Sequence, residues 1–157
     1  MKRIDAIVVH CSATYEGADI KLDDIDRMHR SRGFNGCGYH YVIELDGTVR
    51  VGRSLSRIGA HCNNKSKDGT SYNRHSIGIC YIGGLDKNGK AKDTRTEAQK
   101  LSMLDLIFKL TETYPIKEII GHRDASPDLN GNGIVEPSEW IKMCPCFDAK
   151  KEYEDML

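Results

Sequence analysis

The chain has 157 residues, of which 39% are hydrophobic and 29% charged, a composition typical of one globular domain with its own core. Its 23 basic and 23 acidic side chains cancel, which argues against nucleic acid or an anionic membrane as the main partner. Six irregularly spaced cysteines, in a chain long enough to fold without staples, predict reduced thiols rather than a disulfide framework.

The N-terminus is charged and lacks the apolar run of about 7–15 residues that a secretory signal needs. No other stretch approaches the length of a transmembrane helix. We therefore expect synthesis in the cytoplasm without a signal peptide and no insertion into a membrane. A substrate outside the cell would then require release or export of the protein, which we expect to be a monomer.

In chain order, the first half predicts a buried strand at residues 4–10, a helix at 22–30, a strand at 39–45 and its return strand at 48–52. Asp23 is the candidate N-cap of the helix, because its carboxylate can accept from the free backbone N–H groups of the first turn. Asp46-Gly47 is a typical hairpin turn and sets the two later strands antiparallel.

The second half predicts a polar loop at 60–74, a buried strand at 76–82, a long helix at 97–114, a strand at 116–121 and a helical tail at 147–157. Thr96 is placed to cap the long helix and Pro115 to end it. Its inner stripe is predicted to consist of Leu101, Leu104, Ile107 and Phe108, broadened by Met103, Leu106 and Leu110.

Interspersed strands and helices with one hairpin predict an α/β fold in which a central mixed sheet is flanked by helices. His10 and His122 both fall at the carboxyl ends of predicted strands, where open α/β sheets tend to place their sites. We therefore expect a cleft at that edge of the sheet.

His10, His122 and a cysteine of the Cys144-Pro145-Cys146 segment suggest a single metal site. Zinc held by three protein groups keeps a fourth position open for water, which is how hydrolytic zinc works. Spacing alone also fits ordinary surface or core residues, because no HExxH or CxxC pair is present. Cys11 follows His10 on a strand, so its side chain points to the opposite face and suits packing rather than metal binding.

The wider pattern resembles the zinc N-acetylmuramoyl-L-alanine amidases of type 2, which include the T7-like phage lysozymes and are related to animal peptidoglycan recognition proteins. The resemblance covers nearly the whole chain, from about residue 4 to residue 148. It depends on these blocks in order: His10-Cys11-Ser12-Ala13-Thr14, Gly38-Tyr39-His40-Tyr41-Val42-Ile43, Asp46-Gly47-Thr48-Val49, Gly59-Ala60-His61, Asn73-Arg74-His75-Ser76-Ile77-Gly78-Ile79-Cys80, Gly83-Gly84, Gly121-His122 and Cys144-Pro145.

The resemblance implies a zinc ion held by His10, His122 and Cys144, the cysteine that precedes proline. It also implies catalytic roles for Tyr39 and Lys142, and a place for His61 in the wall of the cleft. The implied reaction is cleavage of the amide between N-acetylmuramic acid and L-alanine of the stem peptide by zinc-activated water. The implied partners are peptidoglycan or muropeptides.

Two other functions stay open at this point. One is a non-catalytic peptidoglycan-binding module of the same fold, against which the retained cysteine ligand argues. The other is a regulatory partner protein, which no feature of the chain supports specifically. The sequence does not choose among a phage endolysin, an exported effector and an enzyme that recycles wall fragments.

Residues 124–141 form an insert between the second and third ligands that is longer than the family pattern. Within it, residues 128–139 fit the calcium-loop template D-x-[DN]-x-[DN]-G-x5-E. The oxygen ligands would come from Asp128, Asn130, Asn132, the Ile134 carbonyl and Glu139, with Glu136 binding through water. Pro127 breaks any preceding helix, so this is not a complete EF-hand. The stretch predicts either a calcium site or a metal-free loop held by Asx-turns.

Overall fold

The computed structural model describes Met1 and residues 3–157. Its helices and strands, in chain order, are β1 (Ala6–Cys11), β2 (Thr14–Tyr15), α1 (Leu22–Ser31), β3 (Tyr41–Ile43), β4 (Val49–Val51), β5 (Ser76–Tyr81), β6 (Gly84–Leu85), α2 (Glu97–Thr113), β7 (Glu118–Gly121) and α3 (Ala149–Glu152). Short 3-10 turns cover Tyr72–Arg74, His122–Ala125, Pro137–Glu139 and Glu154–Met156. Several strands and the helical tail are shorter than the pattern predicted.

Five strands form the main sheet in the order β4-β3-β5-β1-β7, and β2 pairs with β6 separately. All neighbours in the main sheet are parallel except the β3–β4 hairpin, so the predicted α/β fold with a mixed sheet is confirmed. His10 lies opposite Cys80 of β5, and Val9 lies opposite Gly121 of β7. The carboxyl end of β1 is therefore flanked by the ends of both neighbours.

The two faces of β1 belong to different packing layers. Ile7, Val9 and Cys11 join the large core, which includes Met103 and Ile107 of α2. Alternate residues point the other way, where Ala6 and Val8 pack with Cys62, Tyr72, Ile120 and Ala125. Burial of each large apolar side chain contributes about 1.5–3 kcal/mol to folding. Because side chains alternate along a strand, His10 emerges on the face that α2 does not cover.

The ends of α2 agree with the prediction, but its rotation does not. Thr96 Oγ1 accepts from Gln99 N at 3.1 Å, and the Gln99 side chain accepts from Thr96 N at 2.9 Å. The predicted inner stripe is wrong at Leu101, Leu104 and Phe108, which are 68%, 49% and 55% exposed. The prediction is confirmed at Ile107 and, from the broadened face, at Met103 and Leu110, and the fourth buried residue is Gln99, which was not predicted.

The physical reason lies in Gln99. Its side-chain amide donates to the carbonyl oxygens of Ile43 and Ile82, at 3.2 and 3.0 Å. These bonds anchor one side of α2 on the sheet, and the apolar residues on that side then fill the core. Buried polar groups need hydrogen-bond partners, so the face of α2 that carries Gln99 is the one that packs against the sheet.

The start of α1 also differs from the prediction. The helix is capped at Lys21 rather than Asp23, and the carboxylate of Asp24 accepts from Lys21 N at 2.9 Å. Asp23 is exposed within the first turn. Across the described part of the chain, no helix has the length and apolar character needed to cross a membrane.

Candidate metal centre

The ends of β1 and β7 bring His10 and His122 together. Val9 lies opposite Gly121 in the sheet, so the residues that follow them, His10 and His122, are neighbours. Their ring centroids are 4.7 Å apart. His10 is the last but one residue of its strand, and His122 opens the 3-10 turn that follows β7. Parallel pairing of two distant segments therefore brings together two of the three candidate ligands.

Cys144 reaches this point through contacts of its own segment. Its carbonyl accepts from Arg123 N at 2.8 Å, and the next carbonyl, of Pro145, accepts from Tyr81 Oη at 2.6 Å. Gly121 makes this approach possible, because a Cβ there would lie 2.6 Å from Pro145 Cδ. The Sγ atom of Cys144 lies 3.8 Å from His10 Nδ1 and accepts from the backbone N–H of residue 11 at 3.2 Å.

The other thiol of the segment points elsewhere. Cys146 Sγ lies 3.4 Å from the Gly84 carbonyl oxygen and 3.9 Å from Cys11 Sγ. Cys11 itself packs in the core, as its place on the strand predicted. Of the two thiols of the Cys-Pro-Cys segment, the structure brings only that of Cys144 to the two histidines.

His10, His122 and Cys144 offer ligand atoms that all lie within 4.8 Å of one another. Within the described residues, no other group of three or more ligating side chains meets this condition. Two imidazole nitrogens and one sulfur are a donor set that suits zinc, and three protein ligands leave a fourth position open. The side chains present therefore fit such an ion.

The electrostatics of the site keep its imidazoles neutral. Burial lowers the pKa of His10 well below its ordinary value, and the neighbouring charges of His61, His122 and Lys142 act in the same direction. Burial, followed by the charge of Lys142, lowers the pKa of His122 to about 4. At neutral pH both rings consequently have a free lone pair, which binding of a metal ion requires.

His61 stands directly behind His10. Its Nδ1 atom lies 2.9 Å from His10 Nε2, and its ring is 9% exposed at the wall of the cleft. Burial lowers the pKa of His61 well below the ordinary value, with smaller effects of His40 and His122. The resemblance placed His61 in the cleft wall, but its contact with His10 had no signal in the sequence.

Tyr39 packs against the centre from the side of β3. Its ring centroid is 5.0 Å from that of His10, and burial, together with the nearby thiols, raises its pKa well above the ordinary value. The ring of His29, on α1, lies tilted against that of Tyr39 with centroids 5.3 Å apart, and its Nδ1 accepts from Gly38 N at 2.8 Å. His29 is a supporting residue that the sequence pattern did not single out.

A cleft of about 460 Å³ opens beside the centre, within the range that small-molecule sites occupy. Lys142, His61 and His122 line it with Phe34 and Ile141. Its remaining wall comes from the loop after β4 and includes the carboxamides of Asn63, Asn64 and Asn73. Lys142 thus lines the same cleft as His122, one of the three metal-binding candidates.

The insert adopts the turn-rich form that the sequence left open. Asp128 accepts from Gly131 N at 3.0 Å and Gly133 N at 2.6 Å. The carboxylate of Glu139 accepts from three backbone N–H groups, those of Leu129, Asn130 and Glu136. The side-chain oxygens of Asn130 and Asn132 each accept from a backbone N–H two residues on, as in Asx-turns. Calcium binding by this loop stays a prediction.

Trp140 follows the short 3-10 turn Pro137–Glu139 and packs against a cation rather than in the main core. The Arg123 guanidinium lies 3.9 Å from its ring centroid. The N–H of residue 141 donates to Ser126 Oγ at 3.1 Å. These contacts hold the end of the insert against the segment that follows His122. They therefore help to determine the position of Lys142, which comes directly after them in the chain.

The fold and this centre define a class of protein. A family model described as N-acetylmuramoyl-L-alanine amidase matches residues 1–134, so the chain belongs to that family. The matched span ends before Lys142 and Cys144, which the geometry alone brings to the centre.

Individual relatives agree with this assignment. The chain is 34% identical to the endolysin of Escherichia phage T7 over 150 residues, which is 96% of this chain and 85% of that protein. The amidase LysC from Clostridium intestinale superposes with a TM-score of 0.69 at 24% identity, covering 98% of this chain and 83% of LysC. The bumblebee protein PGRP-SA superposes with a TM-score of 0.70 at 22% identity, covering 100% and 84%, respectively. Both likenesses concern the fold alone.

Proposed function

We propose that this protein is a zinc-dependent peptidoglycan amidase. It hydrolyses the bond between the lactyl carbonyl of N-acetylmuramic acid and the amino group of L-alanine in the stem peptide. The observation that carries this proposal is the convergence of His10, His122 and Cys144, of which His122 also lines the cleft. In the reaction, the carbonyl carbon gains the oxygen of water and the leaving nitrogen gains a proton.

A zinc ion bound to these three ligands would supply Lewis acidity at the carbonyl and lower the pKa of a bound water. Two neutral imidazoles and one thiolate give such a centre a net charge of +1. The N–H of residue 11 donates to the sulfur at 3.2 Å. The protein itself therefore contributes two neutral imidazoles and a hydrogen-bonded sulfur to the set of metal ligands.

We assign Lys142 to the oxyanion that develops when the carbonyl is attacked. Its ammonium faces the cleft beside His122, whose pKa it helps to lower. Stabilisation of developing negative charge by a fixed cation is often the largest single catalytic effect.

Tyr39 is assigned to orient water or the scissile group by donating a hydrogen bond. Its phenol stays protonated at neutral pH, because burial raises a pKa that is already near 10. Donation therefore suits it better than proton abstraction does.

The cleft suits an amide-rich glycopeptide. Carboxamides of Asn63 and Asn64 offer polar groups to a peptide, while Phe34 and Ile141 supply apolar walls. A related phage protein of similar length is an endolysin, and we propose that this protein likewise acts on the cell wall after release or export. Peptidoglycan or muropeptides are its partners in this proposal.

A non-catalytic peptidoglycan-binding module is the second candidate, because PGRP-SA has the same fold. Such a module needs the cleft but not a complete set of metal ligands. The placement of the Cys144 thiol beside His10 favours the enzyme.

The test is digestion of purified peptidoglycan followed by mass spectrometry. We expect the wild-type protein to bind about one zinc ion and to release stem peptides with a free L-alanine amino end. Cys144→Ala should lose both zinc and activity, because one of three ligands is gone. Cys146→Ala is the matched control in the same segment and should keep both. A Cys144→Ala variant with full activity would contradict the proposal.

A further inference from the structure

The two ring nitrogens of His10 face different partners. Nδ1 is the atom near Cys144 Sγ, at 3.8 Å, whereas Nε2 lies 2.9 Å from His61 Nδ1. Only Nδ1 is therefore free to face a metal ion. We infer that His61 is a positioning residue, which holds His10 in the tautomer and orientation that the metal centre needs. This inference rests on the zinc centre proposed above.

The count of protons between the two rings supports this assignment. A metal-binding Nδ1 must carry a lone pair, so the single proton of neutral His10 sits on Nε2. That N–H has His61 Nδ1 as its acceptor, which must itself be unprotonated. The proton of His61 then sits on its Nε2, an atom that is buried and has no hydrogen-bond partner in the described part of the chain. Each ring then needs one proton only, and His10 Nδ1 is left with the lone pair that faces Cys144 Sγ.

The His61 ring packs closely against two glycines, Gly59 and Gly78. A Cβ at Gly59 would lie 2.4 Å from His61 Cδ2, and a Cβ at Gly78 would lie 2.5 Å from the same atom. Gly78 is on β5, directly opposite Val8 of β1, so the ring fits into a gap in the sheet surface next to His10. Any larger residue at either glycine would displace the imidazole.

The backbone of His61 is fixed as well as its ring. Asn73 Oδ1 accepts from the N–H groups of His61 and Cys62, both at 2.8 Å. The carbonyl of Asn73 also accepts from Gly59 N at 2.9 Å. The His61 ring is confined next to Gly59 and Gly78, and its backbone is held by the Asn73 side chain. It therefore has little freedom to move, which a residue that orients a metal ligand requires.

The usual partner of a metal-binding histidine is a carboxylate or a carbonyl oxygen. A neutral imidazole does the same task without adding negative charge. The centre therefore keeps its net charge of +1, whereas a carboxylate in this place would cancel it. A centre that must polarise a carbonyl benefits from the higher charge.

Two variants of the same residue test the inference. His61→Asn keeps an acceptor, because Oδ1 is bonded to Cγ as Nδ1 is, while His61→Leu keeps a similar shape without an acceptor. Zinc affinity is measured with zinc alone against a chromophoric chelator. We expect the Leu variant to bind zinc about 10–100-fold more weakly than wild type. The Asn variant should stay within about threefold, since an amide oxygen can accept the same bond. Equal affinities of wild type and His61→Leu, or equal losses in both variants, would overturn the inference.

Nitrogen-15 spectra of the histidine rings in zinc-loaded wild type give a second measurement that needs no variant to fold. We expect the protons of both His10 and His61 on Nε2, and a proton on His61 Nδ1 would overturn the assignment. A wild-type chain that takes up no zinc overturns the proposed amidase centre and this inference together. A wild-type chain that binds zinc but shows the wrong tautomer overturns this inference alone.

Discussion

The ring of Tyr39 contacts those of His10 and His29, and its hydroxyl is the only polar group of its side chain. We predict that Tyr39→Phe keeps zinc, because the ring still packs against the same neighbours. Its kcat should fall by about 100-fold, because water or the scissile group loses the hydrogen bond that orients it. Zinc content by atomic absorption and turnover of muropeptides measure the two effects separately.

Tyr41→Phe is the matched control, since Tyr41 of β3 packs against the large apolar core, whereas Tyr39 packs against His10. It should retain wild-type kcat. A Tyr39→Phe variant that turns over normally, or that loses zinc, would show that the hydroxyl does not have the assigned role.

For single residues, the sequence was enough to name candidates for the site but not to predict which side-chain atoms come into contact. The choice of Cys144 over Cys146 came from a resemblance, and both thiols were equally available by spacing. The contact between His61 and His10 joins residues 51 positions apart and depends on the space left at Gly59 and Gly78. No local pattern encodes such a fit.

Among the elements, the ends of α2 were predictable and its rotation was not. Thr96, Gln99 and Pro115 determine the ends through local chemistry, which a sequence displays directly. Apolar residues occur on more than one side of the helix, so periodicity did not identify the buried one. That choice depended on carbonyl groups of the sheet, at Ile43 and Ile82, which only the fold brings within reach of Gln99.

A closed ring of polar contacts fastens the loop after β4 to the segment before β1. Arg3 Nε donates to Asp5 at 2.7 Å, and Asp5 contacts His75 Nδ1 at 2.7 Å. His75 Nε2 lies 3.1 Å from Ser66 Oγ, which donates to Asp68 at 2.7 Å. Asp68 then pairs with Arg3 at 2.8 Å. The same loop carries the wall of the cleft, so this ring supports the site from the opposite end of the sheet.

This ring predicts a pH-dependent part of the stability. Burial alone would raise the pKa of Asp5, but hydrogen bonds from Arg3 and His75 outweigh it and lower that pKa. The native state then binds fewer protons than the unfolded state. The stabilisation is therefore complete above the ordinary pKa near 4 and is lost as the pH falls below it. Asp5→Asn should lower the free energy of unfolding by about 1–3 kcal/mol at pH 7.

The difference between Asp5→Asn and wild type should shrink towards about pH 2–3, where the wild-type carboxyl is protonated as well. Urea unfolding at several pH values measures it. Asp19→Asn serves as the control, because Asp19 is exposed beside Lys21 and should change stability by less than about 0.5 kcal/mol. A difference for Asp5→Asn that is undiminished in acid would contradict this account.

For the molecule as a whole, the proposed metal ligands come from positions 10, 122 and 144, and the sheet aligns only the first two. We expect the entire chain to be a single amidase domain in which the insert at 124–141 carries the third into place. The insert has little apolar packing of its own: Leu129 and Ile134 are 74% and 63% exposed. Its order depends on the carboxylates of Asp128 and Glu139, which bind backbone N–H groups within it.

The calcium template of the insert leads to a prediction about thermal stability. If the oxygens of Asp128, Asn130, Asn132 and Glu139 hold calcium, the ion binds only the folded loop and raises Tm, by about 2–4 °C per kcal/mol of binding. The measurement is thermal unfolding with calcium and with EGTA, made in the Cys144→Ala background so that loss of zinc to the chelator does not contribute. Asp128→Asn should weaken the response, because it removes a charge but keeps an oxygen that can accept from Gly133 N. Magnesium at the same concentration is the ionic-strength control. A Tm that calcium leaves unchanged would show that the loop is held by its Asx-turns alone.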